Sequence, residues 1–523
     1  MALFRPIVTI SSWTLASRIL GFVRTVLIAH VLGVGMIADV FFIALRLANF
    51  FRGLIAEGAF NAAFVPLFSR KLTSEGQGPA VRFAGEVAAI LGSICLIFTL
   101  TAELAMPWLV YVFAPGFSNN PEKFALTVEL TRVIFPYFLF TVLVALMGGM
   151  LNSVHRFSVA AASPILLNVV MISILLALGT GILSAPGHAL SWGVTAAGFL
   201  QFLWVTCACK RAGILFTLPR PRLTSDVRRL LVLTGPALIG AGAVQINLVI
   251  GAILASTLQE GSISYLYYAD RVYQLPLATV GIAVGIALLP LLTRQLHSGE
   301  FSAAQVSQNR AIEFVLAFTL PAATALMVIT EPIIIVLFQR GAFDITDVNA
   351  TAGALSAYAV GLPAYVLVRA LTPGFFARED TRTPVKVAIA TMIANVVLAI
   401  ILMQFLAHVG IALATALTAW LNAGVLALIL LRRGHLEFDQ RLRHGAPRLL
   451  LASVVMAVIL WWGGAHMAEN FSGNEIQRIT SLLILVFGGG MSFMLLAIFT
   501  GAVRFAEIKT QLARLSHSVE KQD

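Results

Sequence analysis

Charge is what this chain has least of. Of its 523 residues, 11% are charged and 59% hydrophobic, whereas a soluble domain carries about 25% charged residues. With a mean hydropathy of +0.92, water is excluded as the main solvent of its surface and a bilayer takes that place. Alternating strand patterns are missing too. The apolar runs are continuous, which excludes a membrane barrel and leaves helices, the other backbone that satisfies its own hydrogen bonds in lipid. Cysteine is scarce: Cys95, Cys207 and Cys209 lie in or beside apolar helices with no histidine partners at ligand spacing. Neither a disulfide framework nor a zinc site is indicated, and the three read as small packing residues. There is no Gly-Lys dipeptide, no His-Glu-x-x-His and no Asp-x-Asp. That leaves no element for a Walker A phosphate loop, a zinc hydrolase or a metal-dependent glycosyltransferase, so no enzyme and no cofactor are expected.

What is present is a succession of apolar runs, each near the roughly 20 residues that span a bilayer. Breaks at charged residues, Pro and Gly predict helices over 8–33, 36–68, 83–113, 124–151, 159–183, 187–209, 229–256, 263–293, 311–339, 348–377, 385–407, 409–431, 448–467 and 479–503. The expected fold is all-α integral membrane, with about fourteen transmembrane helices. The first run holds Arg18 and Arg24 and lacks a small-residue cleavage site, so it reads as a retained span. The net charge of +11 does not indicate nucleic acid, because of how it is distributed. With the N-terminus inside, 25 of the 35 Lys and Arg fall in cytoplasmic segments, and only Lys123, Arg340 and Arg478 fall outside. This is the positive-inside pattern, with both termini cytoplasmic. The remaining seven, Arg18, Arg24, Arg46, Arg52, Arg132, Arg271 and Arg369, lie within spans.

The chain also matches itself. Phe64-Val-Pro-Leu-Phe-Ser-Arg-Lys-Leu72 aligns with Leu288-Leu-Pro-Leu-Leu-Thr-Arg-Gln-Leu296, and Pro107, Phe113 and Gly116 align with Pro332, Phe338 and Gly341 at an offset of 225. Pro136 and Asn168-Val-Val170 align with Pro363 and Asn395-Val-Val397 at 227. Offsets that drift smoothly in chain order indicate a duplication. Each copy holds six spans, an even number, so both enter from the same side, the parallel-repeat plan of some secondary transporters. The expected domains are a six-helix lobe over 1–209, a basic cytoplasmic linker over 210–228, a second six-helix lobe over 229–433, an additional helix pair over 446–503 and a cytoplasmic tail over 504–523.

An arginine at the bilayer centre costs about 2.5–3.5 kcal/mol on the insertion scale, so four in the first two helices would cost roughly 10–14 kcal/mol facing lipid. They must face water, partners or substrate. At about 100° per residue, Ser17, Gly21 and Arg24 share one face of the first helix, with Arg18 at its edge. On the second helix Asp39, Arg46, Gly53 and Glu57 form a stripe about 27 Å long, flanked by Asn49, with Arg52 further round. Such a stripe reads as the wall of a hydrated cavity. Asp270, Arg271 and Gln274 occupy the matching helix of the second copy. Arginine outnumbers Asp and Glu here, so the cavity should attract an anion. The competing structural reading pairs Asp39 with Arg46 and Glu57 with Arg52.

Ser17-Arg-Ile-Leu-Gly-Phe-Val-Arg24, Ala38-Asp39, Asn49-Phe-Phe-Arg52, Ala56-Glu-Gly-Ala-Phe60 with Phe64-Val-Pro66, Tyr267-Tyr-Ala-Asp-Arg271, Gln339-Arg-Gly-Ala-Phe343 and Phe376-Ala-Arg-Glu-Asp-Thr-Arg-Thr-Pro384 together resemble the MurJ (MviN) family of lipid II flippases. That family lies within the multidrug/oligosaccharidyl-lipid/polysaccharide exporter superfamily, and the resemblance covers essentially the whole chain. It implies two six-helix lobes plus two C-terminal helices that form a groove for a polyprenyl tail. It also implies movement of lipid-linked peptidoglycan precursor to the outer leaflet of the bacterial cytoplasmic membrane, in the company of cell-wall assembly proteins. Carried over by position, Arg18, Arg24, Arg52 and Arg271 would hold the diphosphate, and Asp39 and Asn49 would be important cavity positions. Some members carry glutamate where this chain has Gln274.

Two other functions fit an all-helical membrane chain. A cation-coupled multidrug exporter of the same superfamily would want cavity carboxylates, and the second half offers only Asp270, Glu313 and Glu331 in or near spans. A non-catalytic scaffold of cell-wall assembly, or an integral-membrane glycosyltransferase, is the other; the transferase would need a catalytic base and an acidic metal site that the sequence lacks.

Overall fold

A computed structural model describes residues 4–55 and 59–502. Helices and their connections account for all of the described residues, and no strand occurs among them. Ten of the described segments are long and apolar enough to cross a membrane.

The chain forms two compact units. The first comprises residues 1–267 with 340–344, and the second 268–339 with 345–523. In the first unit lie α1 (Phe4–Leu32), α2 (Met36–Ile55), α3 (Ala59–Ser74), α4 (Gln77–Leu104), α5 (Met106–Phe113), α6 (Pro121–Ile134), α7 (Tyr137–Ser153), α8 (Phe157–Gly179), α9 (Pro186–Arg211), α10 (Ser225–Ser256) and the first turns of α11 (Ser262–His297). The second holds the rest of α11, then α12 (Phe301–Val328), α13 (Thr330–Phe338), α14 (Ile345–Phe376), α15 (Arg382–Arg432), α16 (Gln440–His466), α17 (Ala468–Phe471) and α18 (Glu475–Phe499).

Several predicted spans are divided, and proline explains most divisions. The expected helix over 83–113 starts earlier and breaks at Ala105, where Pro107 opens α5. The helix over 124–151 breaks at Phe135 and Pro136, and the one over 311–339 at Ile329, three residues before Pro332. Proline lacks the N–H that would continue a ladder but suits a first helical turn. The predicted 36–68 helix appears as α2 and α3, with residues 56–58 outside the described residues. Conversely, the spans over 385–407 and 409–431 form one run, α15, which turns at Ala407 with φ 47°. The linker is shorter than the basic stretch suggested, because α9 continues through Arg211 and α10 starts at Ser225.

Apolar rings fill the first unit. Phe60, Phe64 and Phe68 stack along one face of α3 at 5.3 and 5.6 Å between centroids, and Phe83 of α4 stacks on Phe64. Phe51 meets Phe98, Phe135 and Phe138 to join α2, α4 and α7. In lipid, which is as apolar as these rings, the gain is close contact and not exclusion of water. The linker docks on the same unit: Gln77 Nε2 donates to Gly213 O at 2.7 Å, Thr224 Oγ1 to Glu86 Oε2 at 2.8 Å, and Lys71 pairs with Asp226 at 2.8 Å. The second unit repeats the first of these contacts. Gln305 Nε2 donates to Gly434 O at 3.1 Å, beside a core of Val315, Val366, Leu371 and Phe375.

Candidate membrane transport site

In the first unit α1 packs on α8. Asn168 of α8, 5% exposed, bridges the two: its Nδ2 gives to Ser17 O at 2.9 Å and lies 3.4 Å from Ser17 Oγ. Gly21, one turn on, faces the same amide. Ser17 and Gly21 therefore meet α8, while Arg18 is exposed and Arg24 half-buried. Among the described residues Arg18 has no hydrogen bond or ion pair, and neither has the half-buried Arg46 on α2. Arg52 donates from Nε to Asn49 Oδ1 at 2.9 Å, which draws its guanidinium back one turn along α2. Glu57, the expected partner of Arg52, lies outside the described residues. Gly53, expected in the polar stripe, packs against Gln245 of α10.

Asp39 departs most from the sequence reading. It was expected on a water-lined wall or paired with Arg46, but it is 1% exposed and its ionic partner is Lys123 of α6, at 2.9 Å. The carboxylate also accepts from Gly261 N at 2.8 Å, Ser264 N at 3.1 Å and Ser264 Oγ at 2.7 Å. Asp39 thus caps α11 from another helix, where the unsatisfied N–H groups and the helix dipole both favour an anion. Phe42, one turn along α2, stacks on Tyr267 of α11 at 3.8 Å.

Lys123 was read as one of three basic residues outside the membrane, and its role was missed. It is 6% exposed, with Nζ 4.3 Å from the centre of the Phe117 ring. Its place is fixed by Asn120, whose side chain accepts from Glu122 N and Lys123 N, and by Pro121 at the first helical position. A bare cation in the first turn of a helix opposes the dipole. That misfit, read from Asn120-Pro-Glu-Lys123, was the available signal that Lys123 has an acidic partner.

In the second unit Arg271 and Asp270 are half-buried on α11, and Gln274 donates to Asp270 one turn along. Glu313 is engaged by Arg310 and by Arg441, the latter at 2.9 Å. Asp439, which caps α16, also takes Arg310. No group of three or more His, Cys, Asp or Glu able to hold a metal occurs among the described residues.

Comparison with known proteins bears on what such a site serves. The family model described as lipid II flippase MurJ matches residues 28–502. A probable lipid II flippase MurJ of Rhizobium tropici is 46% identical over 521 residues, covering 98% of this chain and 97% of that protein. The lipid II flippase MurJ of Burkholderia cenocepacia is 33% identical over 492 residues, covering 93% and 94%. A solved structure of lipid II flippase MurJ in an inward closed conformation aligns with TM-score 0.77 at 25% identity, over 94% of this chain and 98% of that one. An inward-facing multidrug MATE transporter shares the fold, at TM-score 0.67 and 13% identity over 82% of this chain. The chain belongs to the MurJ family of lipid II flippases.

Proposed function

We propose that this chain carries lipid II, the polyprenyl-diphosphate-linked peptidoglycan precursor, from the inner to the outer leaflet of the bacterial cytoplasmic membrane by alternating access. The observation that carries the reading is the full-length likeness to proteins of that name. The lobes at 1–209 and 229–433 would rock about the linker 210–228, with 446–503 as an added helix pair and both termini and the 504–523 tail cytoplasmic. The reading is of a transporter and not an enzyme.

The chemistry is consistent with it. Lipid II joins a long apolar tail to a diphosphate, sugars and a peptide, so the head needs a wet cationic path while the tail stays in lipid. Arg18, Arg24, Arg52 and Arg271 would supply that path, each able to grip a phosphate through paired N–H donors. Arg46, Asn49, Asp270 and Gln274 would line or gate it, while Asp39, buried against Lys123, would act from behind that wall by holding the start of α11. A membrane potential negative inside would help, since moving two negative charges outward across 100 mV gains roughly 4.6 kcal/mol. The exporter reading is weaker, because Glu313 is already engaged by two arginines and Asp270 by Gln274.

Depleting the protein and measuring lipid II in each leaflet tests the proposal. Lipid II should accumulate in the inner leaflet, and an unchanged distribution would refute it.

A further inference from the structure

Arg369 is a membrane arginine that nothing above employs. It lies on α14, within a segment apolar enough to span the membrane, and it is exposed. Among the described residues no hydrogen bond or ion pair takes any of its five N–H donors. The duplicated fold does not demand a charge there. At the offset of 227 set by Pro136 and Pro363, the matching residue is Val142, an apolar side chain 1% exposed.

The neighbour of Arg369 is Gly281 on α11. A Cβ on that glycine would come within 2.7 Å of Arg369 Nη1, 3.0 Å of Cδ and 3.2 Å of Cζ. The guanidinium therefore lies in a notch that exists only because residue 281 has no side chain. The notch also fixes its depth. Gly281 is sixteen residues before His297 at the end of α11, about 24 Å at 1.5 Å per residue, and ten residues, about 15 Å, beyond Arg271. An arginine reaching for headgroups would extend toward the near end of its own helix, at Phe376. This one lies against Gly281, near the middle of α11.

We infer that Arg369, held in the Gly281 notch, is a further phosphate-binding residue of the transport path, on the same helix pair as Arg271 but deeper toward the cytoplasmic end. An exposed arginine at this depth requires water or an anion, and its fork fits a phosphate oxygen pair. The phosphate could belong to the lipid-linked diphosphate, as inferred, or to an ordinary phospholipid. This inference rests on the flippase reading.

The test uses the purified chain in nanodiscs, with undecaprenyl diphosphate as probe and phosphatidylglycerol as a second ligand. Arg369→Gln should weaken affinity for undecaprenyl diphosphate about tenfold, the loss of one charge-assisted contact. Arg369→Lys should recover only part of it, and Gly281→Ala, which keeps the charge but fills the notch, should weaken binding in the same direction. Wild-type affinity in Arg369→Gln, or a loss confined to phosphatidylglycerol, would overturn the inference. So would a fall in folded protein with undiminished affinity in what remains. An Arg24→Ala chain run alongside separates the two levels. If it weakens while Arg369→Gln does not, only this inference fails, whereas a parent chain with no preference for undecaprenyl diphosphate would remove the flippase reading as well.

Discussion

Replacing Lys123 with methionine should destabilise the first unit by about 3 kcal/mol. Breaking a buried ion pair by removing one partner costs about 3–5 kcal/mol, because the other charge is stranded. Asp39 would keep Gly261 N, Ser264 N and Ser264 Oγ, so the lower end applies. Asp39→Asn should cost more, about 4–5 kcal/mol. It strands Lys123, and an amide has one acceptor oxygen where the carboxylate serves groups at both of its oxygens, so an NH2 would face the Gly261 N–H. The double variant should show a coupling of about 2–3 kcal/mol between the two sites. Added salt should not shrink that coupling, because the side chains are only 8% and 2% exposed. Exchanging the residues, Asp39→Lys with Lys123→Asp, should fail to rescue, since an ammonium would then face the N–H groups at the start of α11. Reversible denaturant titration in mixed micelles measures these values. A Lys123→Met chain within about 1 kcal/mol of the parent, or an exchanged pair as stable as the parent, would refute the reasoning.

At Arg24 and Arg271, alanine should abolish leaflet-resolved lipid II transport per folded protein, and lysine should impair it nearly as much if phosphate binding needs the fork; full transport by both alanine variants would sink the diphosphate role. Cysteines placed between residues 212 and 224 should resist an impermeant reagent added outside intact cells, and labelling there would contradict the assigned orientation. In the α14–α15 connection, hydrogen bonds from the Thr383 hydroxyl, Arg433 and the Thr383 N–H hold the Asp380 carboxyl well below the usual carboxylate range. A depressed value means that the stabilisation is fully present above the unfolded value of about 3.9 and is lost only as pH falls through the lower folded value. Proteolytic protection of residues 376–383 should therefore be unchanged from pH 7 to 5, roughly one unit above that unfolded value, and fall in strong acid, while Asp380→Asn should lower it at neutral pH.

The helices were legible because a span needs only length and apolarity, and the predicted runs fall on helix among the described residues, two of them on the single α15. Their breaks were less legible. Pro107, Pro136 and Pro332 stood in plain view, but a proline inside an apolar run can kink a helix, end it or open the next one, and its neighbours' packing decides which. Pro66, inside α3, breaks nothing. Within the site, helical phase placed Arg18 and Arg46 where they have no protein partner among the described residues, as the excess of arginine suggested. Phase could not find the partner of Asp39. Lys123 and Ser264 are 84 and 225 residues away, and which side chain meets a given face depends on how whole helices rotate against one another.

The duplication, legible as paired motifs, acquires a physical reason in the first unit. Gly116 and Gly341 were matched at the same offset as the prolines and phenylalanines before them. Gly341 packs on the carbonyl of His30 near the end of α1, where Ala342 N also donates to that oxygen at 2.9 Å. Gly116 packs on the carbonyl of Ser256 at the end of α10, and its own N–H donates to Ser256 Oγ at 3.2 Å. Since α1 and α10 begin the two copies, each copy's glycine loop holds the end of the other copy's first helix. The contact is with backbone, so no neighbouring rotamer can make room for a methyl group, and alanine at either position must push a helix end away. The same helix end that Gly341 holds belongs to the helix that carries Arg18 and Arg24. Duplication with exchanged contacts thereby ties the placement of the first copy's arginines to a loop of the second, which explains why a glycine far along the chain keeps its place in the repeat.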